Sequence, residues 1–305
     1  MQGESILTVK PNGRDSILLV DGMALMFRAY YASAATGYIR RTKAGLPTNA
    51  VYGFMRYFWD AVQKFNPSHI ACCWDLGSKT FRTEQFAAYK GNRSEAPDDL
   101  IPQFSVIQEV MDSLGIPNIS AVGYEADDCI GTLATRFAKQ MEVYVLTGDH
   151  DMLQLVNETT SVIIMRKGHG NYSVYTPQSL MEEKQLTPAQ IVDLKGLMGD
   201  TSDNYPGVRG IGEKTALKLV LEYGSVEGIL NNLDKLSKSI RAKIEADLDM
   251  LHLSRQLAEI RCDVELVCDQ DACLFELNHA QVAAKFEELE MASICNWMGV
   301  AATNE

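Results

Sequence analysis

The chain has 305 residues, enough for one large domain or two ordinary ones with an ample core. Apolar residues make up 46% and charged residues 22%, the balance of a globular protein in water. No apolar run reaches the length of about 18 residues that a membrane span needs. The net charge of −12 speaks, taken alone, against a nucleic-acid partner, because phosphate binding wants a basic surface.

The start, MQGESILTVKPNGRDS, lacks the basic head and apolar run of a signal peptide and reads as a loose tail. Seven cysteines, an odd number with no CxxC pair, read as buried reduced thiols of a cytoplasmic protein. Ser16–Val20 is the first apolar run, stopped by Asp21–Gly22. His69–Trp74, stopped by Asp75, and Glu142–Thr147, stopped by Gly148–Asp149, are two more. Helical spacing fills the stretches between them, at 50–58, 100–114 and 129–139. Strands alternating with helices predict an α/β fold, with a mainly parallel central sheet flanked by helices. From about residue 185 the segments become short, helical and turn-rich, which predicts two units, 1–185 and a helical module over 186–305. The last 40 or so residues carry no clear pattern.

Nine acids fall where the chain turns: Asp21, Asp75, Glu125, Asp127, Asp128, Asp149, Asp151, Asp200 and Asp203. Each has a plainer reading, as a helix cap or as turn chemistry. Together they say more. Three parallel strands ending in Asp21, Asp75 and Asp149 deliver three carboxylates to one sheet edge, where functional crevices of such sheets lie. Carboxylates so crowded repel one another unless cations sit among them. Oxygen ligands without His or Cys suit Mg²⁺ or Mn²⁺, two ions or more, and hard ions on carboxylates belong to phosphoryl-transfer chemistry. Setting nine aside from 40 acids leaves 31 against 28 Lys and Arg, so the remaining surface is nearly balanced and the charge objection weakens.

Two basic segments complete the pattern. Residues 78–103 carry Lys79, Arg82, Lys90 and Arg93 with Phe81, Phe86 and Tyr89 interleaved, which reads as phosphate contacts beside a stacking ring. The competing reading is a solvated amphipathic helix and loop. Gly207–Val208–Arg209–Gly210–Ile211–Gly212 is a tight hairpin before a helix start at Glu213. Its glycines let backbone N–H groups approach a phosphate, and Lys214 and Lys218 flank the same helix face. This resembles a helix-hairpin-helix, over about 195–223, which grips duplex DNA without reading bases. The same segment, GDTSDNYPGVRGIGEKTA, joins Asp200 and Asp203 to that hairpin.

The segments LLVDGMALMFRAYYA, CCWDLGSKTFRTEQFAAYKGNR, GYEADDCIGTLA, VYVLTGDHDMLQLV and GLMGDTSDNYPGVRGIGEKTALKL stand in one order over residues 15–269. In these the chain resembles the bacterial and phage 5′-nuclease family: the 5′→3′ exonuclease domain of DNA polymerase I, its free-standing relatives and the flap endonucleases. The resemblance implies that all nine acids belong to a metal centre. It implies that Lys90 and Arg93 stand at the base of a helical arch, about 78–105, and contact the scissile phosphate, with Tyr89 before them. It implies that Gly207, Arg209, Gly210, Gly212, Lys214 and Lys218 hold duplex DNA, with a K⁺ ion on backbone carbonyls. Arg82 is expected on the DNA side as well. Expected substrates are DNA with a 5′ flap, a nick or a 5′-ended duplex, and RNA–DNA hybrid at primers, cut by a monomer in replication and repair. The tail at 290–305 is expected to mark a free-standing nuclease.

Three rivals fit less well. A PIN-like ribonuclease shares the acidic edge but not the basic segment or the hairpin. A catalytically silent DNA-binding protein would show gaps among the acids, and none is missing. A strand-then-Asp phosphatase wants Asp-x-Asp, where this chain has Asp21–Gly22–Met23.

Overall fold

The structure is a computed structural model and describes residues 15–300; the expected N-terminal tail and residues 301–305 lie outside that range. Six strands form one sheet: β1 (Ser16–Asp21), β2 (His69–Cys73), β3 (Asn118–Ile119), β4 (Glu142–Thr147), β5 (Thr160–Met165) and β6 (Tyr172–Tyr175). Their order is β3-β2-β1-β4-β5-β6. The first five run parallel and β6 is antiparallel to β5. The expectation of a mainly parallel sheet holds. From β1 the chain winds outward to β2 and β3, then returns to β4 on the other side. That reversal opens a crevice beyond the carboxyl ends of β1 and β4, the place where doubly wound sheets bind ligands.

The strands are apolar at nearly every position because both faces are covered. Ile17, Leu19, Cys73, Val143, Val145 and Val162 point into one core. Leu18, Val20, Ile70, Cys72 and Ile163 point into the other, with Trp74. The second core is roofed by α1 (Gly22–Ala34), α2 (Asn49–Phe65) and, beyond the short α3 (Phe81–Gln85), α4 (Ile101–Ser113). The first is roofed by α5 (Ala126–Phe137). Asp21–Gly22 is not a turn: helix α1 begins at Gly22, with Asp21 as its cap. Glycine is required there because a Cβ would lie 2.6 Å from the Trp74 ring.

After β6 the chain is helical. α6 (Pro177–Lys184) and α7 (Pro188–Met198) each start on a threonine cap followed by proline, which fixes their first turns. Next come α8 (Glu213–Tyr223), α9 (Val226–Leu230), α10 (Lys238–Ala246) and α11 (Leu248–Ala258), the last packed along α7. The end of the chain, patternless in sequence, forms α12 (His279–Glu288) and α13 (Ala292–Met298). These do not join the helices around the hairpin. Val282, Phe286, Ile294 and Met298 are buried in the core beneath α2 and α4, on the far side of the sheet.

Candidate active site

β1 and β4 deliver Asp21 and Asp149 to the crevice. Asp21 Oδ1 accepts from Ala24 N at 2.9 Å and Oδ2 from Thr147 Oγ1 at 2.6 Å. The same Thr147 oxygen accepts from Asp149 N at 3.0 Å, so one threonine ties the ends of the two central strands together. Asp75, after β2, accepts from Ala126 N at 2.7 Å and so meets the start of α5, which carries Asp127. Burial raises the Asp21 carboxyl to about 6, and the charges of Asp149 and Asp75 push the same way. Burial, then Asp21 and Asp149, hold Asp127 well above the ordinary carboxylate range. Among the described residues no Lys or Arg forms an ion pair with Asp21, Asp75, Asp127 or Asp149. Four acids thus converge with no ion pair of their own and with only the nearby charge of Lys90, acting on Asp127, against their mutual repulsion, an electrostatic hole that suits a hard divalent cation.

The other five expected metal ligands are in a different state. Both oxygens of Asp128, which is fully buried, are taken: Arg82 Nη1 and Nη2 reach them at 2.7 and 2.9 Å, and the N–H groups of Glu125 and Arg261 complete the set. Glu125 receives Lys90 Nζ at 2.9 Å on Oε1. Arg93 pairs with Asp203 at 2.5 Å. Lys195 Nζ lies 2.7 Å from Asp151 Oδ1 and also pairs with Asp200. Burial, then Asp149, raises Asp151 to about 6 in spite of that lysine. Asp200 is the reverse: against its burial, Lys195 and Ser202 hold it down to about 2. The nine acids therefore do not make one ligand set. Among the described residues no three His, Cys, Asp or Glu side chains stand in ready-made ligand positions, because backbone N–H groups and internal cations orient many of these carboxylates. For Asp128 the expected ligand role is overturned: no oxygen is left to give.

Two expected DNA contacts change character for the same reason. Arg82 is 2% exposed, and besides Asp128 it donates to the carbonyls of Leu257 and Glu259 at 2.9 and 2.8 Å. It is a structural bolt between α5 and the end of α11, out of reach of any ligand. Tyr89 is 4% exposed, and its hydroxyl lies 2.9 Å from Asp203 Oδ2 and 3.1 Å from Glu125 Oε2, so its ring is not free to stack on a base. Of the helical arch expected over about 78–105, only α3 and the first residues of α4 are helix. Five residues of α3 are followed by turns as far as Leu100. That stretch is pinned to the loop carrying Asp200 and Asp203: Lys90 N donates to Asp203 O at 2.8 Å, and Asn92 to Thr201 O at 2.8 Å. Lys90 and Arg93 do reach the site. They line a cavity of about 600 Å³ with Asp75, Glu125, Phe27 and Phe104.

The glycine hairpin follows directly. Gly199 and Gly207 have φ of 73° and 62°, and a Cβ on Gly207 would come within 2.3 Å of Gly199 N. The two legs of the loop cross at backbone contact, a crossing that only glycine permits. Asp200 and Tyr205 close the loop with paired backbone bonds of 2.8 and 3.0 Å. The carboxylate loop and the hairpin are thereby one rigid piece. Beyond it Arg209, Gly210, Gly212, Lys214 and Lys218 are all exposed, beside the N-terminus of α8.

Two family profiles cover the chain: "5'-3' exonuclease, N-terminal resolvase-like domain" matches residues 16–185, and "5'-3' exonuclease, C-terminal SAM fold" matches 186–281. The chain belongs to the 5′-3′ exonuclease family. It is 50% identical to the 5′-3′ exonuclease of Bacillus subtilis over 269 residues, 88% of this chain and 91% of that one. It is 43% identical to DNA polymerase I of Lactococcus lactis subsp. lactis over 269 residues, 86% of this chain but only 30% of the polymerase. In fold it is similar to the phage T5 5′-exonuclease with bound zinc (TM-score 0.64, 21% identity, 91% of this chain and 99% of that one). It is also similar to the catalytic core of Rad2 with a DNA substrate (TM-score 0.59, 14% identity, 94% and 92%).

In this member of the 5′-3′ exonuclease family, three site residues escaped the sequence reading. Lys195 sits within a helix, in LKGLM, and gives no local sign that it bridges two acids. Its position five before Asp200 is the one clue, since a lysine in the last turn of a helix can reach just past its end. Thr147 ends β4 and reads as strand. Tyr205, 3% exposed, stacks against Tyr89 with centroids 6.3 Å apart.

Proposed function

We propose that this chain hydrolyses DNA phosphodiester bonds close to 5′ ends and flap junctions, with divalent cations held at the carboxyl edge of its sheet. The observation that carries this is the group Asp21, Asp75, Asp127 and Asp149: four acids facing one crevice, unpaired by any internal cation, beside a cavity rimmed by Lys90 and Arg93. Their oxygen-only chemistry fits Mg²⁺ or Mn²⁺, and these four would hold the first ion. Asp151, Asp200 and Asp203 would contribute to a second only by giving up Lys195 and Arg93. A bound divalent ion supplies a water of lowered pKa and a positive charge on the scissile phosphate.

The protein's own groups do the rest. Lys90 and Arg93, now neutralised by Glu125 and Asp203, exchange those carboxylates for the phosphate and offset the charge that develops on it. Phe27 and Phe104, edge to face at 5.9 Å, give the cavity an apolar wall against a base or sugar. The edge of the sheet, with the loop of Asp200 and Asp203, carries the chemistry. The helices around the hairpin, from α7 to α11, hold duplex DNA through Arg209, Lys214, Lys218 and the hairpin N–H groups. Because the Gly199–Gly207 crossing makes hairpin and carboxylate loop one piece, the distance from duplex grip to cut is set by the protein, and a junction rather than a base sequence is selected. Preference for Mg²⁺, action as a monomer in the cytoplasm, and acceptance of an RNA–DNA hybrid at the 5′ end belong to the same proposal.

The test is cleavage of 5′-labelled flap, nicked and single-stranded DNA with Mg²⁺, with and without chelator. Flap and nicked substrates should be cut near the junction, leaving 5′-phosphate and 3′-hydroxyl ends, and chelator should stop it. Absence of cleavage on all three would sink the proposal.

A further inference from the structure

Two of the seven cysteines meet away from the crevice. Cys268 and Cys273, both buried, bring their sulfurs to 3.4 Å. The turn between them is closed by Cys273 N, which donates to Gln270 O at 2.9 Å. Asp269 O lies 3.5 Å from Cys273 Sγ, inside the same corner. That corner belongs to a strap, 261–275, which ties α5 to the start of β2. Before the corner, Val264 N donates to Thr132 Oγ1 at 3.1 Å, and Arg136 donates to Leu266 O and Cys268 O at 3.2 and 2.9 Å. After it, Leu274 bridges to His69, and Phe275 N donates to Ser68 O at 2.9 Å.

A disulfide sets its sulfurs about 2.05 Å apart, and rotation of two short side chains supplies the difference. The two thiols are also unequal. The hydrogen bond with Cys273 first, and then the Arg136 charge, hold the Cys268 thiol below its ordinary pKa against burial. The same bond, then burial, pushes Cys273 up. Cys268 is therefore the thiolate and Cys273 the partner that keeps the proton, the division of labour between an attacking and a resolving cysteine. Burial raises Cys72, Cys73, Cys129, Cys262 and Cys295 instead, which leaves them poor nucleophiles. Only the turn separates the pair from water: Cys268 keeps 6% of its surface exposed, and neighbouring Val267 keeps 97%.

We propose that Cys268 and Cys273 are a modification site, a dithiol that hydrogen peroxide converts reversibly to a disulfide. The Cys268 thiolate attacks one peroxide oxygen and the O–O bond breaks. The other oxygen leaves with the electron pair, takes a proton and departs as water, and Cys268 becomes the sulfenic acid. The Cys273 sulfur then attacks the Cys268 sulfur. The S–S bond forms, and the hydroxyl leaves as water with the Cys273 proton. The two sulfurs lose two electrons, and the peroxide gains them as it becomes two waters. A dithiol reductant returns both electrons and restores the thiols. The bond fastens the corner of the strap, and neither sulfur lines the cavity rimmed by Lys90 and Arg93.

The experiment exposes the full chain, reduced and freed of reductant, to a small excess of hydrogen peroxide. Remaining thiols are alkylated in denaturant, and tryptic peptides are weighed with and without dithiothreitol. In peptide 262–285, Cys262 should carry the one alkyl group, with the peptide lighter by two hydrogens until dithiothreitol is added. Cys72, Cys73, Cys129 and Cys295 should be alkylated throughout. The melting temperature should rise by about 4–8 °C on oxidation and return on reduction. In Cys273→Ser the sulfenic acid should persist on Cys268 and be captured by dimedone, whereas Cys268→Ser should leave Cys273 unlabelled. Three results overturn the inference: full alkylation of Cys268 and Cys273 after peroxide, a disulfide that joins any other pair first, or dimedone on Cys273 instead of Cys268. A melting temperature unmoved by the bond would remove its fastening of the strap. The wild-type masses decide the matter by themselves should a serine variant fail to fold.

Discussion

Asp127 and Asp128 are neighbours on the first turn of α5, and they live in opposite electrostatic states. Asp127 turns to the crevice, where burial, then Asp21 and Asp149, raise its pKa, and the charge of Lys90 offsets this only in part. Asp128 turns to the protein and is held by Arg82 at two points. The same division runs through the whole acidic set. Asp21, Asp75, Asp127 and Asp149 face outward unpaired, while Glu125, Asp151, Asp200 and Asp203 are shared with Lys90, Lys195 and Arg93. The contrast teaches that the charge of such a site is not a count of its acids. It is set by where the chain places its own cations.

The largest effect should come from the unpaired group. Asp149→Asn keeps the shape and its bond from Asp151 N but removes a charge. Single-turnover cleavage should fall by about 10³, roughly 4 kcal/mol of barrier, while duplex affinity and melting temperature stay close to wild type. Near-normal cleavage would break the division at its first member.

Asp128→Ala tests the opposite member. It leaves the buried Arg82 guanidinium facing a lost partner, a change that typically costs about 3–5 kcal/mol. Melting should drop by about 6–20 °C, given roughly 2–4 °C per kcal/mol for chains near this size. Pairing Arg82→Met with Asp128→Leu should recover much of that loss, since removing both charges leaves neither stranded. A full-stability Asp128→Ala that has lost cleavage would return Asp128 to the metal centre. Lys195→Met sharpens the boundary between the groups. With the ammonium gone, Asp151 and Asp200 are free, so the Mg²⁺ concentration at half-maximal cleavage should shift downward about three- to tenfold. A shift upward would show that Lys195 orients ligands rather than competing with the ion.

The sheet and its acidic edge were legible because parallel strands advertise themselves as short apolar runs, and the Asp that ends each one has nowhere else to go. The hairpin was legible because its glycines answer a local demand, the backbone crossing at Gly199 and Gly207. What the sequence hid was partnership over distance. Arg82 sits in a basic, aromatic stretch, the look of a surface element, yet its partners are 46 residues away at Asp128 and 175 away at Leu257. Nothing local distinguishes a buried arginine from a solvated one. Tyr89 misled in the same way. The arch was carried over from the family, whereas turns and the Asp203 contact shape those residues here. The final helices were unread because α12 and α13 bury only a few apolar side chains each, too few for a pattern to stand out.

The smallest expected effect concerns the hairpin, where charges are exposed and work through phosphate alone. Lys214 and Lys218 stand at i and i+4 on α8, and among the described residues neither has an ion-pair partner. Changing either to Ala should weaken duplex binding only a few-fold at moderate salt, for any base sequence, and should lower the slope of log affinity against log salt by about 1. The cleavage rate at saturating DNA should not change, because neither lysine touches the crevice. That pattern is the mirror of Asp149→Asn, which should stop the chemistry and leave the salt slope alone. If Lys218→Ala instead slowed saturated cleavage, grip and cut would not be separable, and the rigid link through Gly199 and Gly207 would have to act on the chemistry as well as on the distance.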